Sequence, residues 1–294
     1  VLNGRRIAEE DWPTDPANTL PERLRTITPA RLGSILLRDN PLTTSSSWRD
    51  PSMADYDMPA TEYYRERGLD DAALGWVDAN NSYGNRLQDT SLLSLFRVSA
   101  SIGRAIAMRQ PTFEVGGGNS RLPEALAAAL RGPVVTGERV LTVRQAAAGD
   151  ISVDCASGRT YEAAAVICTL PLPAAREVRF DPGLPVNQAV AFREIEYHKV
   201  TQAHFVTREP YWRAAGEPAG WWTDGPLGRV FVRRAADGEH YNITCWINGD
   251  DCDRYADADE EEAAAAILAE FERLVPGARG AVSVGRVVRW AAEP

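Results

Sequence analysis

The chain has 294 residues, 44% hydrophobic and 25% charged, enough to bury a real core as two modest domains or one large one. A formal net charge of -9 argues against a nucleic-acid partner, which needs clustered Lys and Arg. The four cysteines include no CxxC pair, so neither a zinc nor a disulfide framework is expected, and no apolar run reaches the length of a membrane span.

Residues 1 to about 60 are rich in Pro, Asp, Ser and Thr, with a helix expected over Arg31–Leu37 and a loop over Pro41–Pro59. Three helices should follow. One covers Thr61–Arg67 and closes at Gly68. The next is capped by Asp70 and runs through Val77. The third spans about Thr90–Met108, with Leu92, Leu93, Phe96, Ile102 and Ile106 on one stripe. After Pro111 the pattern changes. Arg121–Leu130 reads as a short helix. Val134–Val135, Val140–Val143, and Ile151 with Val153 read as strands, and Ser157-Gly158 turns the chain into another. The apolar run Ala163–Pro171 fits a strand buried on both faces, with Cys168 a buried thiol. From Tyr197 the chain is strand-rich, at Val200–Thr207, Arg229–Arg233, Tyr241–Trp246 and Val282–Val288. Asp259–Leu274 is a helix with four acids at its start, which suits the helix dipole.

Three motifs invite chemistry. Gly116-x-Gly118 opens a helix, but Arg121 stands where a dinucleotide loop needs its third glycine, so a plain turn is the better reading. The acids from Asp251 to Glu262 have EF-hand spacing, yet Ala256 occupies the position that needs Gly, so a solvated helix entrance is expected. His198, His204 and His240 have no metal-ligand spacing, although His198 and His204 share a strand face. No Gly-x-Ser-x-Gly elbow occurs. No signal peptide is visible, and the cysteine usage fits a reducing, cytoplasmic location.

Six segments in order carry a family resemblance. They are FEVGGGNSRLPEAL (Phe113–Leu126), GERVLTV (Gly137–Val143), AVICTLP (Ala165–Pro171), FDPGLP (Phe180–Pro185), Pro210-Tyr211-Trp212, and RWAAEP (Arg289–Pro294). Together they resemble the flavin-containing amine oxidases, the family of monoamine, polyamine and L-amino-acid oxidases. The resemblance is close over Phe113–Pro294 and looser before it. It implies an α/β (α+β) fold: an amine-oxidase substrate domain of helices and a mixed sheet, plus an inserted part of the FAD/NAD(P)-binding domain. Residues 1–120 would be the helical part of the substrate domain and 121–190 the inserted part of the FAD-binding domain. Residues 191–287 would be the strand-rich part of the substrate domain, and 288–294 would start the return to the FAD-binding domain.

The resemblance also implies roles. The backbone at Val140 would meet the FAD adenine, and Trp290 matches an aromatic near the flavin ring. Arg121 and Gly118 would border the substrate cavity, with Asn81, Ser82 and Tyr83 near it. Many members place a Lys ten residues before the Trp of the Pro-Tyr-Trp segment, holding a water beside flavin N5. That position here is Gln202, with Lys199 three residues earlier on the opposite side of the strand. A Gln can hold a water but brings no charge, which leaves oxidase versus dehydrogenase activity open.

The family's G-x-G-x-x-G unit and C-terminal FAD segment would lie outside this sequence, so the chain is expected to be an internal piece that binds FAD weakly or not at all by itself. The implied activity of the parent protein is FAD-dependent oxidation of a C–N bond of a small amine or amino acid to an imine. The alternatives are a related flavin desaturase or porphyrinogen-type oxidase, and a catalytically silent substrate-binding module.

Overall fold

A computed structural model describes the chain apart from residues 112, 147–148, 215–218, 236 and 293–294; the last two residues of the RWAAEP segment therefore lie outside the described residues. The chain forms two compact units: Val1–Ala107 together with the chain from His198 onward, and Met108–Tyr197.

The first unit opens with four helices, α1 (Pro29–Leu36), α2 (Ala60–Glu66), α3 (Asp71–Asp78) and α4 (Leu92–Ala107). The local signals act as expected. The Asp70 carboxylate accepts the Ala73 N–H and caps α3, while Gly68, at φ +87, ends the α2 turn in a conformation that disfavours a Cβ. Tyr63, Tyr64, Trp76, Leu92 and Phe96 form the core of this region, joined by edge-to-face pairs such as Tyr63–Phe96 at 5.4 Å. The α4 stripe is buried only at its start. Leu92 and Phe96 are fully enclosed, but Ile102 and Ile106 are exposed, because beyond Leu95 the same face borders a cavity instead of the core.

The second unit contains α5 (Arg121–Ala128), β1 (Val140–Gln145), β2 (Ile151–Cys155), β3 (Thr160–Ala163), α6 (Leu172–Arg176), β4 (Arg179–Asp181) and α7 (Val186–Glu194), with strand order β3-β2-β1-β4. Two expectations fail here. Val134–Val135 is exposed irregular chain, and the run from 164 to 171 forms no strand, with Ile167 at 89% exposure and Cys168 exposed as well. An apolar run becomes a strand only where a neighbour completes its hydrogen-bond ladder. Among the described residues this run has no ladder partner.

Returning to the first unit, the chain adds β5 (Val200–Thr207), α8 (Tyr211–Ala214), β6 (Trp221–Trp222), β7 (Arg229–Arg234), β8 (Tyr241–Asn248), α9 (Glu260–Leu274) and β9 (Ser283–Arg289). The strands form a sheet in the order β6-β7-β8-β5-β9. Ala203, Phe205, Ile243, Cys245 and Ile247 pack with Ala263, Ile267 and Phe271 of α9 in a second core. These α9 residues recur every four positions and make one helix face. Trp222, on the sheet, joins the helical core instead. The EF-hand-like spacing resolves into a turn of 3-10 helix over Gly249–Tyr255 and a complete capping box, in which Asp259 accepts the Glu262 N–H and Glu262 accepts the Asp259 N–H. Among the described residues, no group of three His, Cys, Asp or Glu could hold a metal.

Asp259→Ala removes one half of the capping box and should destabilise the chain by about 1 kcal/mol, read as a lower denaturation midpoint with unchanged slope. His198 has a buried Nε2 without a partner, and His204 Nδ1 lies 3.2 Å from Thr244 Oγ1. Burial holds both imidazoles below their ordinary range, with Arg286 adding to the effect at His204. The unfolded chain then binds more protons than the folded one just below about pH 6.5. Stability should fall as pH drops through that value and level off below the folded pKa values. The loss of Tm between about pH 7.5 and about pH 5.5 should be smaller in a His198→Gln/His204→Gln variant than in the wild type; an equal loss would discard this account.

Candidate functional site

The candidate site is organised by the face of the first unit's sheet that α9 does not cover. β5 alternates strictly: Thr201, Ala203, Phe205 and Thr207 are buried, and Val200, Gln202, His204 and Val206 are half-buried. Gln202 lies opposite Trp246 of β8 and Val288 of β9, and Trp246 lies opposite Arg229 of β7. Directly opposed residues project to the same side of a sheet. Gln202, Trp246 and Arg229 are therefore consecutive members of one row, with Asn248 two residues along from Trp246 on the same face.

Trp290 follows the end of β9, and its Nε1 donates to Gln202 Oε1 at 3.2 Å. Two positions 88 residues apart in sequence are thus in contact. This bond occupies the carbonyl of the Gln202 amide, and its Nε2 has no hydrogen-bond partner among the described residues. The Trp290 ring is 55% exposed. Nearby on the row, Trp246 Nε1 and both side-chain polar atoms of Asn248 are buried and unpartnered. Lys199 is held elsewhere: its Nζ bridges Asp250 at 3.1 Å and Asp253 at 2.8 Å, away from the Gln202 face.

Asn81, Ser82 and Tyr83 form the loop after α3. Asn81 is buried and spends its amide on the turn, donating to Gly84 O and Thr90 Oγ1 and accepting the Tyr83 N–H. Its side chain shapes the loop. With Tyr83 and Ser82, Asn81 borders a cavity of about 440 Å³, bounded elsewhere by Ile102 and Ile106 of α4 and by Arg229. The Arg229 guanidinium donates from Nη2 to Ser82 Oγ at 2.5 Å and lies 5.7 Å from the rings of both Phe231 and Trp246.

The remaining expected residues belong to the second unit. Arg121 starts α5, its N–H donates to Gly118 O, and its side chain stands 3.6 Å from Glu124. Gly118, at φ +98, lies in the exposed turn that the sequence suggested. Val140 opens β1 at a register irregularity opposite Cys155. Arg229 and Trp246 carried no sequence motif. Their place in the row comes from strand pairing alone, which single-sequence periodicity does not specify.

The model of the flavin-containing amine oxidoreductase family matches residues 15–294. A flavin-dependent L-tryptophan oxidase, RebO of Lentzea aerocolonigenes, is 26% identical over 169 residues, which is 54% of this chain. The match spans 35% of that relative's length. Among solved structures, wild-type putrescine oxidase bound to putrescine superposes with a TM-score of 0.69 at 20% identity, over 89% of this chain and 60% of that one. Cyclohexylamine oxidase from Brevibacterium oxydans IH-35A gives a TM-score of 0.71 at 17% identity, over 95% of this chain and 63% of that one. At such identities the likeness is one of fold, and it matches the mixed helix-and-sheet architecture described above. No helix among the described residues is long and apolar enough to cross a membrane. The family match covers nearly the whole sequence, and the chain belongs to the flavin-containing amine oxidoreductases.

Proposed function

We propose that the protein carrying this chain uses FAD to oxidise the C–N bond of a small amine or amino acid to an imine, and that the Gln202 row faces the reaction. On this reading the helices up to about residue 120 and the strands of 191–287 bind substrate, while 121–190 and 288–294 contribute to holding FAD, with the Val140 backbone near its adenine. Arg121 and Gly118 would border the substrate. The observation that carries the proposal is the Trp290–Gln202 hydrogen bond, since these are the positions that the family resemblance assigns to the flavin ring.

The half-exposed indole of Trp290 offers a flat face to a planar ring system. Trp246 Nε1 and the Asn248 amide are buried polar atoms lacking partners among the described residues, a costly arrangement unless an ordered water completes it. The flavin, when bound, supplies the acceptor for a hydride equivalent. The chain's own residues do the rest. Trp290 fixes the Gln202 carboxamide through its oxygen, which leaves the NH₂ group to donate to a water. The amine arrives protonated and must become neutral to react; a neutral Gln next to the indoles of Trp246 and Trp290 does not repel the incoming ammonium. The hydrated product loses its nitrogen as ammonia or a smaller amine.

The test is anaerobic mixing of the flavin-loaded protein with amines and amino acids, followed by oxygen. Loss of oxidised-flavin absorbance on mixing is expected, with an aldehyde or oxo acid as product. Bleaching by a C–C dehydrogenation substrate, and by no amine or amino acid, would transfer the protein to the desaturase type. Gln202→Lys restores a positive charge and should speed reoxidation by oxygen about tenfold, equivalent to about 1.4 kcal/mol of barrier, while the same charge should weaken binding of a protonated amine in the reductive half-reaction.

A further inference from the structure

The cavity between α1, the loop after α3, α4 and β7 has an unusual charge balance. The chain as a whole carries -9, yet among the described residues the charged ones lining the cavity are Arg31, Arg38 and Arg229, with no Asp or Glu. Arg31 and Arg38 approach from α1 and the chain just after it. Arg229 enters from the sheet, from the same row as Gln202 and Trp246.

Arg229 is the informative one. Its partners among the described residues are the Ser82 hydroxyl and the Phe231 and Trp246 rings, none of them a carboxylate. Its Nε is buried and makes no hydrogen bond. A guanidinium stays charged under all ordinary conditions and has no way to escape by losing its proton. Burial already disfavours its charged form, with the Tyr83 phenol partly opposing the effect. A half-buried cation with an idle N–H and no anion is an incomplete pair, and the geometry that completes a guanidinium best is a carboxylate. The lining also offers the apolar Leu95, Val98, Ile102 and Ile106 and the aromatic Tyr83, beside polar Asn80 and Ser99.

We propose that this cavity binds a carboxylate-bearing ligand with an apolar body, and that Arg229 is the residue that grips the carboxylate. Combined with the proposed C–N oxidation, on which this part rests, the substrate class is an amino acid with an apolar side chain, in preference to a simple amine or a diamine. A second cationic group, as in a diamine, would meet three arginines. Ser82 acts as a positioning residue, because its hydroxyl holds the guanidinium from the loop side.

The test separates carboxylate binding from catalysis by measuring binding alone. The 294-residue chain is titrated calorimetrically with 3-phenylpropanoate, phenethylamine and L-phenylalanine, which share an aromatic body and differ in their charged ends. The two carboxylates should bind at least about tenfold more tightly than phenethylamine, the scale of one charge-assisted hydrogen bond. Arg229→Gln should remove that preference, and Arg229→Lys should keep part of it, with folding of each checked by thermal melting. Equal binding of phenethylamine and 3-phenylpropanoate, no binding of either, or an unchanged preference in Arg229→Gln would each overturn the assignment. If Arg229→Gln does not fold, the wild-type ranking and Arg229→Lys decide. A chain that prefers carboxylates while its flavin-loaded form is bleached by no amine or amino acid overturns the oxidation reading and leaves this one standing. Efficient bleaching by simple amines with no carboxylate preference does the reverse.

Discussion

The burial of Phe205 fixes where Gln202 points. β5 is paired on both sides, by β8 and β9, over nearly its whole length. Its odd-numbered residues enter the core, where the Phe205 and Phe271 rings lie 5.8 Å apart. A slip of one residue would turn Phe205 to the open face and Gln202 into the α9 core. The enclosed apolar side of the strand therefore sets the register of its open side. β8 obeys the same alternation, with Ile243, Cys245 and Ile247 buried and Trp246 and Asn248 turned to the other face. The row of Gln202, Trp246 and Arg229 thus depends on hydrophobic burial one layer away.

Local structure is legible in the sequence. Asp70 and Asp259 announce helix starts because a carboxylate two or three residues before free N–H groups satisfies them without tertiary help. The β5 limits were readable because alternation is a property of the strand itself. An element that needs a distant partner is not legible in the same way. The run Ala163–Pro171 has strand composition, but composition does not supply a neighbouring strand, and the chain there is exposed. The α4 stripe shows the same limit in milder form: apolar spacing marks a face, and cannot tell a packed core at Phe96 from a cavity wall at Ile106.

The site divides along the same line. Gln202 and Trp290 were reachable by counting from short motifs, and their contact in the structure joins two independent counts. Asn81 and Tyr83 reach the cavity edge, although Asn81 spends its amide on the turn. Arg229 and Trp246 could not be found this way. Each is one Arg or one Trp among several, and only the pairing of β7, β8 and β5 sets them beside Gln202.

The placement of positive charge in the first unit then makes a coherent pattern. The lysine nearest in sequence to Gln202 is tied to Asp250 and Asp253, so it neutralises acids at the end of the sheet. Position 202 itself is neutral and anchored by an indole. Two strands across, roughly 10 Å at ordinary strand spacing, Arg229 brings a guanidinium into the cavity. A cation at 202 would oppose an amine, whereas a cation at 229 would attract an acid. Moving the charge from one end of the row to the other makes the two ends chemically unlike, with a neutral, indole-lined end and a cationic end that lacks its anion. A ligand that is itself two-ended, with a nitrogen that must become uncharged and a carboxylate that stays charged, matches that polarity in one orientation only. Gln202, taken by itself, would read as the loss of a family feature. Set beside Arg229, it is, on the proposed reading, one half of an electrostatic arrangement that would orient such a ligand.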